Sequence, residues 1–553
     1  MPQTTDRSHG RTPASGPVRQ RKLAERTCVR LRNSLRSSPG ALIALLLLVN
    51  LAATGQQVIT LLPGADIQGF VDGNPENTTF VLSAGTYRLQ SIQPKNGDSF
   101  IGQNQPILSG AQVLTTFSRL GFFWFVDGQT QAGQRNGSCD PQHPLCMYPE
   151  DLYFDSVPLL HVGSLDAVGP GCWFFDYPNQ RIYFADDPTG HLVETSVTRS
   201  AFSGSATNVT ISGLIVEKYA VPAQFGAIGD QYPGSNWTVT SNEVRWNHSG
   251  GISLASGSTA NQNYVHHNGQ KGFGGSGNNI LVQSNEVSFN NWAGFDCGWE
   301  CGGMKFALTN NLTILGNFVH DNQGPGMWID TDNINTLYDS NVVSNNIGGG
   351  ITHEISYAAI IRYNTVCDNF VSGPTNWLWG SQIQIQNSQN VQVYGNVVET
   401  PPNTFVTGSN GIGIIQQDRG SGAYGPYLAV NNSIHDNSIV YRGGVTSTGA
   451  VADYNQQQML QTGNNQFDYN AYHLSDPNWY HWNWGAGVTF AGLQQTGQEL
   501  HGTADAAMPS LCSTLFSGFN PTQSAQSLIR SIGSKCSMRC SSPDSPGLNK
   551  KRP

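Results

Sequence analysis

The chain has 553 residues, of which 12% are charged and 10% aromatic, and its formal charge is -9. Aromatic content at this level excludes a disordered chain, and such sparse charge points to a fold that relies on polar, uncharged turns. The acidic balance argues against nucleic acid as a partner, since phosphate binding calls for basic patches.

Residues 1–55 read as a leader outside the fold. Nine Arg or Lys side chains are followed by ALIALLLLVNLAA, an apolar run of 13 residues, too short to span a bilayer comfortably. With small residues at Ala53 and Gly55 this is the pattern of a secretory signal cleaved near Gln56, which predicts a secreted, periplasmic or cell-surface protein. An uncleaved anchor is the alternative, and the one route to a membrane. Loss of nine basic and two acidic side chains would lower the formal charge from -9 to -16. Nine cysteines then remain, so at least one thiol is left unpaired. Export permits disulfides, and Cys139 with Cys146, Cys297 with Cys301, and Cys536 with Cys540 are close enough to pair. Their spacings lack the His or CxxC partners of a zinc site, so no metal is expected from them.

Residues 56–110 contain three short strand runs that would form the first coils of a solenoid. Over residues 111–200 the segments FFWFVDG, EDLYFDSVPLLHV, CWFFDYPNQRIYFADD and HLVETSV resemble antiparallel hairpins, which predicts a small β-rich insertion. The solenoid resumes at NVTISGLIVEKY, and residues 201–508 form its main body. There the pattern NxVxxN occurs six times, starting at Asn242, Asn263, Asn285, Asn317, Asn341 and Asn364, with spacings of 21, 22, 32, 24 and 23. A period in the low twenties built from short β-favouring runs is a solenoid signature, because one coil cannot bury its apolar face alone. The predicted fold is all-β, a parallel β-helix. Stacked Asn side chains would form amide ladders. Beyond Asn364 the spacing widens to 32, 41 and 33, with looser copies at Asn396, Asn437 and Asn470, so loops such as the one carrying Trp377 and Trp379 must project from the coils. WYHWNWG at 479–485 either borders a cleft or caps the core. Residues 509–553 are Ser-rich and predicted to be partly disordered.

The repeat also serves as a ruler. Eight residues past Asn322 is Asp330, and eight past Asn346 is Glu354, so Met327–Asp330 aligns over Ile351–Glu354. If Met327 and Ile351 point inward, alternation sends Trp328, Asp330, Thr352 and Glu354 outward on one face. Coils lie roughly 4.8 Å apart, so the two carboxylates stack near the ~5–5.5 Å separation of retaining glycosidases. Acids this close repel, which favours one protonated acid beside one ionised nucleophile. Asp332, two residues further on, could replace Asp330 or bind a sugar hydroxyl. Trp328, Trp377, Trp379 and Tyr357 are sugar-stacking candidates, Gln384 and Gln386 hydroxyl partners, and His353 a group that could tune the acid. The segment FDCGWECGGMKF brings Asp296, Glu300 and Lys305 near the same face in an unfixed register. A surface decorated by structural acids, or one that binds a cation, is the competing reading.

The PGADI opening, the coil pattern and the strings GMWIDTDN and GITHEIS together resemble right-handed parallel β-helix proteins of the pectate-lyase-like superfamily, over residues 56 to about 505. The Asp-then-Glu arrangement looks like that of β-helix glycoside hydrolases of the β-xylosidase type. That resemblance implies a polysaccharide or oligosaccharide substrate, a nucleophilic Asp330, an acid/base Glu354, no cofactor and a monomer. The superfamily also contains polysaccharide lyases and uronan epimerases, for which Lys305, His353 and Arg362 would be the basic groups and Ca²⁺ a possible requirement. A noncatalytic carbohydrate-binding or adhesin solenoid is the third class.

Overall fold

The computed structural model describes residues 57–373, 377–402, 407–443 and 446–512. The leader, Cys536, Cys540 and residues 513–553 of the tail lie outside the described residues. Each coil contributes up to three short strands, and these stack into three sheets. The first has 13 strands, from Val58–Leu61 to Gln466–Asp468; the second has 13, from Thr86–Arg88 to Thr503–Asp505; the third has 11, from Gly226–Ile228 to Gly487–Val488. Neighbouring strands are parallel, except for a closing antiparallel pair at Trp482–Trp484 and Gly487–Val488.

The repeat explains the packing. The Val of each NxVxxN (Val244, Val265, Val287, Val319, Val343, Val366) stands in register with the next and is fully buried. Its two Asn residues sit at the corners that flank the second sheet, and they form two continuous amide ladders. One runs from Asn242 to Asn470 with Nδ2 to Oδ1 distances of 2.9–3.0 Å. The other runs from Asn247 to Asn369 at 2.8–3.1 Å and closes on Gln382 Oε1 at 2.7 Å. Interior Asn side chains also donate to a main-chain carbonyl of the preceding coil and accept a main-chain N–H, so a buried polar column is satisfied without water. One glycine column completes the corner. A Cβ at Gly251, Gly272, Gly303, Gly326 or Gly350 would lie 2.4–2.7 Å from the Val of the adjoining strand, so no side chain fits there.

The insertion leaves between two adjacent coils: Ile211 pairs directly with Phe100 on the far side of it. It has a four-stranded and a five-stranded sheet around its own core of Leu152, Trp173, Phe175, Ile182, Phe184 and Val193. The buried Glu194 pins it to the helix, accepting from Lys218 Nζ at 2.5 Å and from Arg88 Nη1 at 2.6 Å. Disulfides join Cys139 to Cys146 and Cys297 to Cys301, as the spacing predicts. A third, Cys367–Cys512, spans 145 residues and ties the end of the described chain to the second sheet. In the aromatic cluster, Trp482 is buried against Tyr472 and Phe490 and caps the core, while Trp479 and Tyr480 are exposed. No helix of the described residues is long and apolar enough to cross a membrane.

Candidate functional site

The outer face of the third sheet carries the site. Met327, Ile351 and Ile383 point into the core, fully buried and in register. Alternation therefore exposes two outward rows. One row contains Lys305, Trp328, Thr352 and Gln384; the other contains Asp330, Glu354 and Gln386. Asp330 and Glu354 are direct Cα partners on neighbouring strands, as the repeat spacing predicts.

Each carboxylate has a cation of its own. Lys305 Nζ lies 3.0 Å from Asp330 Oδ2 and 3.5 Å from the Trp328 ring centroid, and it donates to the Trp299 carbonyl at 2.9 Å. Arg419 Nη1 donates to Glu354 Oε1 at 2.7 Å, and Trp328 Nε1 donates to Glu354 Oε2 at 2.8 Å. The mutual repulsion expected of two stacked acids is thus offset from both sides. Side-chain exposure is 16% for Asp330 and 10% for Glu354, so the pair is sheltered and still reachable.

A loop over residues 417–428 brings Arg419 and folds across the ends of these strands. It is fastened at several points. Asp332 Oδ1 accepts from Tyr427 Oη at 2.7 Å and from Ala423 N at 2.9 Å. Tyr357 donates from its hydroxyl to Gly425 O at 2.7 Å, and its ring meets Tyr424 edge-on. Gln386 Nε2 reaches Gln417 Oε1 at 3.2 Å, and Gln384 Nε2 reaches Gln386 Oε1 at 3.1 Å. Burial and the bond to Asp332 push the Tyr427 phenol well up, so it stays a neutral donor. Asp332 is therefore a loop anchor. Thr331 and Asp332 both adopt left-handed backbone, with φ of 68° and 55°, so the strict alternation that would have aimed Asp332 beside Asp330 ends at the strand terminus.

Several sequence candidates fall elsewhere. His353 is in register with Ile329 and points into the core, completely buried. Its Nε2 meets Tyr357 O at 2.7 Å and its Nδ1 meets Tyr338 Oη at 3.0 Å. Burial holds its pKa down at about 4, so it is a neutral strut under Tyr357 and does not tune the acid. Arg362 belongs to the first sheet, where it pairs with Asp339. Glu300 is buried against Lys271 and accepts from Gln224 Nε2 at 2.8 Å, and Asp296 binds Ser138 of the insertion at 3.1 Å. Trp379 packs on Leu378 and on Ile415 and Val451, the two residues that continue the Glu354 row beyond Gln386, while Trp377 is exposed on its loop.

Arg419, Gln417 and Tyr427 escaped the sequence reading because they lie in a loop to which the repeat ruler does not extend. The nearest signal was the widened spacing after Asn396, which implied a projecting loop somewhere in that stretch. Among the described residues, no group of three or more His, Cys, Asp or Glu is placed to hold a metal ion.

Residues 230–398 match the family model described as a right handed beta helix region. No curated protein matches the chain. Among solved structures, the complex of XylC with xylose matches with a TM-score of 0.60 at 12% identity, covering 80% of this chain and 83% of that one. The A-module of Azotobacter vinelandii mannuronan C-5 epimerase AlgE4 matches at 0.44 and 13% identity, covering 80% and 93%. A glycoside hydrolase matches at 0.34 and 9%, covering 72% and 96%. Identities this low speak to the fold. The match over residues 230–398, the likeness to XylC and the three stacked parallel sheets show the fold to be a right-handed parallel β-helix.

Proposed function

We propose that the protein is an exported retaining glycoside hydrolase that acts on a polysaccharide or oligosaccharide. The observation that carries this reading is the in-register pairing of Asp330 with Glu354 on an outward row flanked by Trp328, Gln384 and Gln386. Lys305 gives an ionised Asp330 its counter-charge and leaves it available as nucleophile toward the anomeric carbon. Glu354 in its protonated form would donate to the departing glycosidic oxygen, then take a proton from the water that attacks the glycosyl-enzyme ester. Arg419 must yield before Glu354 takes up that proton. Its side chain is 35% exposed on the loop, where an entering saccharide would compete for it. The likeness to XylC, solved with xylose, makes xylosides the first substrates to test. Disulfides in three places, together with the leader pattern, support an oxidising compartment outside the cytoplasm.

The test is turnover of aryl glycosides by wild type, Asp330→Asn and Glu354→Gln, with added azide. Both variants should lose at least 10³-fold in kcat, as expected for loss of a nucleophile or a general acid, and azide should yield a glycosyl azide. Wild-type turnover in both variants would sink the assignment.

A second reading draws on the same cations. Lys305 and Arg419 beside a carboxylate row are the groups that a lyase or epimerase uses to bind and deprotonate a uronate. New absorbance from an unsaturated uronide accompanying the new reducing ends, or inversion at C5 with no chain cleavage, would favour it. Retention of glycan without turnover of any kind would mark a binding solenoid.

A further inference from the structure

The turn that leads into the strands of the first sheet carries a column of its own. Two residues ahead of the in-register strand positions, from Asn77 to Asn464, this turn holds Asn or Gly on every coil except at Ala358. The reason is backbone geometry. At Asn77, Asn208, Asn236, Asn311 and Asn431 the turn is left-handed, with φ of 56–64°, a region that Gly and Asn enter at least cost. Two residues further on, the strand opens at a half-exposed position, while its next residue, such as Ile211, Val239 or Ile314, is buried. A β-branched polar residue suits that first position, and Thr79, Thr210, Thr238, Thr313 and Ser433 occupy it on these five coils.

The two demands together write Asn-x-Thr or Asn-x-Ser, the acceptor triplet for an N-linked glycan. The chain has seven such triplets with no Pro at the middle position. Five of them are these turn asparagines, and all five are exposed. The other two differ in place. Asn136 is half-buried in the insertion. Asn247 is a completely buried rung of the interior ladder, and its Nδ2 donates to both Val216 O at 3.2 Å and Asn268 Oδ1 at 3.0 Å, so it has no hydrogen to give up. On the outer column, Asn236 Nδ2 donates to Asn208 Oδ1 at 3.1 Å and Asn311 Nδ2 to Asn279 Oδ1 at 2.7 Å. A glycosylated amide keeps one hydrogen, which is enough for a rung of that kind. The triplet is also broken on the three coils that carry Asp330, Glu354 and Gln386. There Leu337 follows Asn335, Ala358 replaces the Asn, and Gln392 follows Asn390. Acceptors at Asn311 and Asn431 therefore stand on either side of the acid row.

We propose that this column is a modified edge of the helix, with N-linked glycans on Asn77, Asn208, Asn236, Asn311 and Asn431 that frame the acid pair and leave its coils bare. The donor is a lipid-pyrophosphate-linked oligosaccharide. Asn Nδ2 forms a bond to C1 of its first sugar, the bond from C1 to the phosphate oxygen breaks, lipid pyrophosphate leaves, and Nδ2 loses one proton. Transfer takes place in the lumen of a secretory compartment, so the inference rests on the export proposed above. Glycans on this edge stay clear of the interior, because the main chain of the turn is held by its own hydrogen bonds, such as Asn236 N to Ser256 O at 2.9 Å and Asn311 N to Ile334 O at 3.0 Å. At Asn247 the same modification would break the buried ladder.

The experiment expresses the full chain, with its own leader, in a secreting yeast. Protein from the medium is treated with peptide N-glycosidase in ¹⁸O-water and mapped by mass spectrometry, which marks each formerly glycosylated Asn as ¹⁸O-labelled Asp. Label at most of the five turn positions, and none at Asn247, is the expected result. Thr210→Val, Thr238→Val and Thr313→Val each break one triplet and keep the Asn, the turn and a β-branched strand residue, so each should lose one glycan step in gel mobility. Secreted protein with the five positions bare or mostly bare, or with label at Asn247, would overturn the proposal and leave the export reading standing. A chain retained in the cell without glycan would overturn both.

Discussion

The first amide ladder ends on a carboxyl group, and that end should make the fold sensitive to pH. Glu499 is completely buried; its Oε1 accepts from Asn470 Nδ2 and from Tyr472 Oη, both at 2.7 Å. Burial outweighs these donors and raises its pKa from 4.5 to about 7. A carboxyl whose folded pKa is raised binds its proton more tightly in the native state. Its contribution is therefore fully present below pH ~4.5 and is lost as pH rises to about 7. A shift of about 2.5 units at ~1.4 kcal/mol per unit corresponds to about 3 kcal/mol. Glu499→Gln keeps the acceptor and removes the charge. Denaturant midpoints of the two proteins should agree near pH 4.5, and the variant should be more stable by about 3 kcal/mol at pH 8. Taking the difference cancels every other titrating group. Parallel midpoint curves for the two proteins across pH 4.5–8 would refute the reasoning.

The other predictions concern the site, the corner and the crosslink. Arg419→Ala removes a charge-assisted bond that has to open before Glu354 takes up its proton; for a side chain one-third exposed this is worth ~1–2 kcal/mol, so kcat/KM should rise by up to about tenfold, and an unchanged or lower value would show that Arg419 does not hold Glu354 back. Gly326→Ala places a Cβ 2.6 Å from Val343 Cγ1 and should cost about 1–3 kcal/mol in a denaturation midpoint, where an exposed control such as Gly487→Ala costs little. Replacing Cys367 and Cys512 together by Ser opens a loop of 145 residues and should lower stability by up to about 5 kcal/mol in non-reducing denaturation. Equal midpoints with and without that bond would show that the end of the described chain contributes nothing to the fold.

Comparison of residues shows why some features could be read in advance. The valines of NxVxxN, the amides beside them and the row shared by Asp330 and Glu354 follow from a period of two along each strand and a fixed count from coil to coil. Both are local rules, because a strand's alternation and an amide's reach extend over one coil. The same alternation places His353 above Ile329 in the core; its chemical versatility suggested a catalytic role that its strand position rules out. By itself, then, the sequence determined the β-helix, its register and which side of the third sheet carries the acids. Only the tertiary structure decided what stands around those acids and what else the surface can hold. Arg419 reaches Glu354 across 65 residues, Cys512 reaches Cys367 across 145, and the insertion closes a cavity against coils more than 80 residues further along the chain. Each of these depends on how an irregular segment returns to the solenoid, and a repeat carries no information about the path of the segments that interrupt it.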